Sequence, residues 1–167
     1  MAFVIARSNN GICCNYIYWN RITAYFVSTK EGTFMKAIPH GTFKVLVTNQ
    51  VLRVTARGPF NKELIVEYRN AVNAAIEKLA GTKWAAVICL YGESLMTPEA
   101  EKLLVEAVKD RITKGMVATT SVFLDSQVSA IQHNQMSNIY KAAGAHFELF
   151  ENENEAIIWA YHCLESL

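Results

Sequence analysis

Short apolar runs alternating with amphipathic helices predict an α/β fold, a mostly parallel sheet of about five strands with one antiparallel hairpin strand. Three observations carry this. Residues 84–91, WAAVICLY, form an unbroken apolar run of strand length, which suits a strand buried on both faces. Thr97-Pro98-Glu99, six residues further on, is a helix start: a capping hydroxyl, a proline in the first turn and an acid to complement the dipole. The same strand-to-helix alternation recurs along the chain and gives the order ββαβαβαβα, which calls for right-handed crossovers between parallel strands.

The elements follow in order. Residues 42–47 and 51–56 are β-rich runs joined by Thr48-Asn49-Gln50, a hairpin pattern. Gly58-Pro59 ends the second run. Asn61 then caps a helix whose Leu64, Ile65, Tyr68, Val72, Ile76 and Leu79 recur at helical spacing, with Gly81 closing it. The helix after Thr97 carries an inner stripe of Ala100, Leu103, Leu104, Ala107, Val108 and Ile112, and Lys114-Gly115 ends it. Residues 116–124 form the next strand, and Asp125-Ser126 opens a helix expected to bury Val128, Ile131, Met136, Ile139, Tyr140 and Ala143 before Gly144. Residues 146–150 make a short edge strand. Asn152 with Glu155 starts the last helix in a capping-box pattern.

Length and composition narrow the function classes. A chain of 167 residues with 51% hydrophobic and 19% charged residues has enough apolar material for a real core in one domain. A net charge of +1, with Lys and Arg scattered, gives no basic footprint for nucleic acid. No apolar run reaches the ~20 residues that a membrane span needs. Cys13, Cys14, Cys89 and Cys163 show neither a disulfide framework nor metal-ligand spacing, so reduced thiols in a cytoplasmic protein are expected. The four histidines are scattered, His133 on a polar helix face, and no metal or other cofactor is expected.

Residues 1–34 differ from the rest, with few charges and no helical period. They read either as extra strands, from ICCNYIYW and ITAYFVS, on a sheet edge, or as sequence upstream of a true translation start at Met35. The second reading is favoured. A secretory signal fits poorly, because Arg7-Ser8-Asn9-Asn10 interrupts the apolar run.

Residues 35–167 resemble the SpoIIAA-like group of the STAS superfamily, whose fold is related to that of CRAL-TRIO domains. The resemblance is carried by His40-Gly41-Thr42-Phe43, Gly58-Pro59-Phe60-Asn61, Lys83-Trp84, Thr97-Pro98-Glu99-Ala100-Glu101 and Glu155-Ala156-Ile157-Ile158-Trp159. It implies a non-enzymatic regulatory or binding module that takes a partner protein or a small apolar ligand. A lipid carrier that touches a membrane surface and a phosphorylatable anti-sigma factor antagonist are the alternatives it implies. In antagonists of that superfamily a serine at the start of the second helix is phosphorylated. Here the matching turn is Leu95-Met96-Thr97-Pro98, without the acidic residue, serine pair or glycine of the pattern.

Three sets of candidate residues follow. Thr97, with Ser94 behind it, is the phospho-acceptor candidate, since a phosphate at a helix start meets free N–H groups; a plain capping role for Thr97 is the stronger expectation. Phe60, Tyr91, Glu93, Asp125 and Ser126 lie at predicted carboxyl ends of strands and could line a ligand crevice. Their residue types equally suit turns and caps, which is the favoured reading. On the last helix, Ile157, Ile158, Tyr161 and Leu164 are expected to face the sheet, leaving Trp159 and Cys163 as interface candidates. Core packing is expected there first, a homodimer contact second and a membrane surface third.

Overall fold

The structure, a computed structural model, describes residues 39–166 together with Tyr16 and Ile17. Its sheet runs in chain order: β1 (Tyr16–Ile17), β2 (Thr42–Thr48), β3 (Val51–Arg57), β4 (Trp84–Tyr91), β5 (Met116–Leu124) and β6 (Phe147–Phe150). β2 and β3 form an antiparallel hairpin, with Thr48 opposite Val51. The turn between them places Asn49 at φ 55, a left-handed conformation that asparagine accepts more readily than most residues. β3 to β6 are parallel throughout. β1 adds two residues antiparallel to β2, Tyr16 opposite Leu46. It falls within ICCNYIYW, while the rest of residues 1–34, with Cys13 and Cys14, lies outside the described residues.

Sequential parallel strands have a geometric consequence. Each right-handed crossover steps one strand in the same direction, so the three crossover helices share one face. These are α1 (Lys62–Ile76), α2 (Pro98–Thr113) and α3 (Ser129–Ala143). They cover a large core that includes Leu52, Val54, Tyr68, Trp84, Ile88, Leu104, Met136 and Tyr140. α4 (Glu153–Ser166) follows the last strand and packs on the opposite face, against β4 and β5. Its core is smaller, built from Val51, Ala85, Val87, Cys89, Ala118, Val122, Ala156, Ala160 and Cys163.

Local chemistry sets the element boundaries. Asn61 Oδ1 accepts from Leu64 N at 3.2 Å and from His40 N at 2.9 Å, so one side chain caps α1 and holds the start of β2. Thr97 Oγ1 accepts from Ala100 N at 3.3 Å. Asn152 Oδ1 accepts from Glu155 N at 2.9 Å at the start of α4. Gly144 takes φ 74 as the C-cap of α3, the left-handed conformation that only glycine enters at no steric cost.

Several sequence expectations need correction. α1 stops at Ile76 and tightens into a 3₁₀ turn over Glu77–Leu79, so Gly81 lies in the following turn and is not the helix cap. α3 begins at Ser129, because Ser126 Oγ accepts from Val128 N and holds residues 125–128 as a turn. Ile131 is 58% exposed, and Gln132 is buried in its place, tied to Gly92 O at 2.8 Å. His133 is half-buried, its ring 4.6 Å from that of Phe123.

The last helix keeps Ile157 and Leu164 against the smaller core, as expected, but its closest contact line is different. Ala156, Ala160 and Cys163 face the sheet, while Ile158 and Tyr161 are exposed. Trp159 packs beside the smaller core, its ring 5.8 Å from Phe150 and 5.2 Å from His146. The sheet beneath α4 presents Ala85 and Ala118, so the helix comes in close and small residues take the contact line. Ranking apolar residues by size alone misplaces Ile158 and Tyr161 here.

Candidate ligand-binding cavity

Between the sheet and α1–α3 lies a cavity. Val54, Ala56, Ile88, Leu90, Met116 and Thr119 form its floor, from the strand positions that face these helices. Leu64, Ile65 and Tyr68 of α1, Leu104, Val108 and Arg111 of α2, and Met136 and Tyr140 of α3 form its roof. Phe60 and Met96 line it from the two strand-to-helix connections, which bridge each other: Phe60 N donates to Leu95 O at 2.8 Å and Thr97 N to Phe60 O at 3.1 Å. The cavity's enclosed volume is about 40 Å³. That inner volume exceeds the roughly 10–15 Å³ that one enclosed water requires.

The residues around it are buried except Phe43 and Met96, which are half-buried. Phe43 pairs with Ala56 near the end of β3, and Met96 precedes α2. The accessible side of the cavity is therefore at the carboxyl ends of the parallel strands, where ligands enter open α/β sheets.

The lining is apolar apart from four side chains. Arg111, Thr119 and Tyr140 are 3%, 2% and 2% exposed, and Tyr68 is buried beside them. Arg111 Nη1 donates to Tyr68 Oη at 3.1 Å, and the guanidinium lies 4.7 Å from the centre of that ring. Arg111 Nη2 is buried with no hydrogen-bond partner, and neither salt bridge among the described residues involves Arg111. Tyr140 Oη meets Ser121 Oγ at 2.8 Å, and burial pushes its phenol up to about 12.

Sequence reasoning missed Arg111, which reads as one of many scattered charges. A signal was present, because residues 100, 104, 107, 108 and 111 continue one helical stripe, and all five are buried.

The candidates chosen from the sequence have different places. Phe60 does line the cavity. Tyr91 is on the other face of the sheet with the guanidinium of Arg57 5.8 Å from its ring centre. Glu93 is exposed and accepts from Gln127 N at 3.1 Å; Asp125 is exposed at φ 55; Ser126 caps the turn before α3. The expected crevice over these four is a pair of loops pinned together by Glu93–Gln127, Gln132–Gly92 and Gly92 N to Leu124 O at 2.8 Å. These hydrogen bonds satisfy the loop groups locally, and the cavity lies deeper.

Ser94 is 1% exposed and fully engaged, accepting from Gly58 N at 3.1 Å and donating to Tyr91 O at 2.8 Å. A hydroxyl so placed ties the two connections and is closed to a kinase. Thr97 is exposed and caps α2. Cys163 is buried in the smaller core with burial raising its thiol, which removes it from any surface interface. Cys89 and Cys163 are both free thiols. Burial, together with the nearby Glu153 carboxylate, pushes Cys89 up to about 12.

Among the described residues no group of His, Cys, Asp and Glu is placed to hold a metal, and no helix is long and apolar enough to cross a membrane. Compared with family models, with curated proteins and with solved structures, the chain matches none. What the fold and cavity define is a small α/β domain with a largely apolar internal cavity.

Proposed function

We propose that this protein is a non-enzymatic, cytoplasmic binding module of SpoIIAA-like organisation that holds a small apolar ligand between its sheet and helices α1–α3. The observation that carries this reading is the cavity itself, apolar over most of its lining and approached from the carboxyl ends of the strands. Close-packed interiors contain few voids wider than a water molecule, so one placed at this end of the sheet is better explained by occupancy than by loose packing. Three methionines, Met96, Met116 and Met136, line it, and their flexible thioether chains can repack around a guest.

The test uses neutral 1-octanol with the purified protein. Octanol should raise the thermal midpoint in a saturable way and appear as a one-to-one adduct in native mass spectra. Val108→Ile, which adds one methylene to the lining, should weaken that response, and Val108→Phe should remove it. A wild-type protein indifferent to octanol would overturn the reading.

A further inference from the structure

We propose that the cavity takes an aliphatic monocarboxylate, its carboxylate held by Arg111 and Tyr68 and its chain lying along α2. This rests on the cavity being a ligand site and adds the chemistry of the head group. Among the described residues the guanidinium is the only cationic group lining the cavity, and it is 97% buried with one terminal nitrogen unpartnered. A buried charge without a counter-ion is unfavourable, and its contact with the Tyr68 ring offsets only part of the loss. An anion arriving at Nη2 removes that deficit.

The donors suit a carboxylate. Arg111 Nη1 already donates to Tyr68 Oη, which leaves the phenol proton of Tyr68 for a second acceptor. Nη2–H and Tyr68 O–H can therefore meet the two oxygens of one carboxylate. A single cation matches a single negative charge, whereas a phosphate monoester would bring a second charge with nothing to balance it.

The position of Arg111 specifies the tail. Arg111 is in the last turn of α2, and the half-buried Met96 lies just before its first turn. Over residues 98–111 the helix rises about 20 Å. A head group on Arg111 thus sits at the opposite end of α2 from Met96, with apolar lining between them, which suits a hydrocarbon chain. Val108 and Leu104, one and two turns before Arg111 on the same stripe, belong to that lining.

The experiment compares octanoate with 1-octanol, equal in chain length and different in charge, by calorimetry and thermal shift on wild type and Arg111→Met. Octanoate should bind wild type at least tenfold more tightly than octanol. In Arg111→Met the preference should vanish while octanol binding persists, and the unliganded variant should be as stable as wild type or more so. Should Arg111→Met not fold, Arg111→Gln makes the same comparison with a neutral polar group. Equal binding of acid and alcohol to wild type overturns the carboxylate proposal and leaves the apolar site standing. Octanoate binding that survives loss of the guanidinium overturns it as well. Failure of both ligands to bind overturns the proposal together with the function on which it rests.

Discussion

On the α4 side of the sheet, Ala156 and Ala160 share a core with Ala85 and Ala118, and no fully buried member of that core is larger than valine. On the other side three helices meet the sheet through Trp84 below and Tyr68, Tyr140 and leucines above, and a cavity remains among them. The same strands supply both faces, since their alternate residues point in opposite directions. The difference is in side-chain size and in the number of helices to be accommodated. Small residues let one helix approach closely and leave little space. Large residues under three helices hold the layers apart, and a gap bounded by stiff aromatics is then filled only by what can move or what can bind.

If that contrast is right, adding volume should have opposite consequences on the two faces. The largest effect is expected from Ala160→Leu, which forces three extra carbons into the close contact beneath α4. Overpacking of this kind should cost about 3 kcal/mol. For a chain of this size that corresponds to a fall in Tm of about 6–12 °C, measured by calorimetry. A change of less than a degree would show that the α4 face has slack and would end the comparison.

A smaller effect comes from alkali. Folding raises the Cys89 thiol from 9.0 to about 12, so the folded protein keeps a proton that the unfolded chain releases. That contribution is complete below about pH 9 and is lost as pH rises from 9 towards 12, by up to about 1.4 kcal/mol per unit. Tyr140, on the cavity face, acts in the same sense from its ordinary value of 10.0. Urea midpoints at pH 8, 9 and 10 should therefore decline, and Cys89→Ala should flatten the first part of the decline. An identical slope in the variant would exclude Cys89 as its source.

The smallest effect has the opposite sign. Val108→Ile places one methylene beside the 40 Å³ interior of the cavity. Burial without overpacking should stabilise the unliganded protein by about 0.8 kcal/mol. Destabilisation of more than that amount would mean the space beside Val108 is not available to a side chain.

How far the sequence revealed this arrangement varies with distance along the chain. Asn61, Thr97 and Asn152 were legible as caps because each bonds a backbone N–H three residues away. The hairpin and the buried strand Trp84–Tyr91 were legible from composition and period alone. The cavity was not, because its walls come from three helices and four strands far apart in sequence. Of the crevice candidates only Phe60 belongs to it; Tyr91, Glu93, Asp125 and Ser126 were chosen for lying at strand ends, and strand ends also need turns. Ser94 looked like a loop hydroxyl, and its burial depends on Gly58, 36 residues earlier. Ile157 and Leu164 of the expected α4 stripe do pack on the core, but Ile158 and Tyr161 were misassigned because a helix chooses its contact residues by what lies opposite, here two alanines of the sheet.

The sequence by itself determined the elements, their order and the caps Asn61, Thr97 and Asn152, since these follow from hydrogen bonds and periodicities that span a few residues. That α1, α2 and α3 share a face follows only from the sequential strand order in the sheet, which the structure supplies, together with one hand of crossover. Only the tertiary structure decided which charge is buried. Arg111 becomes the cationic end of an apolar cavity because Tyr68, 43 residues away, meets its guanidinium and the helices above the sheet exclude water from both.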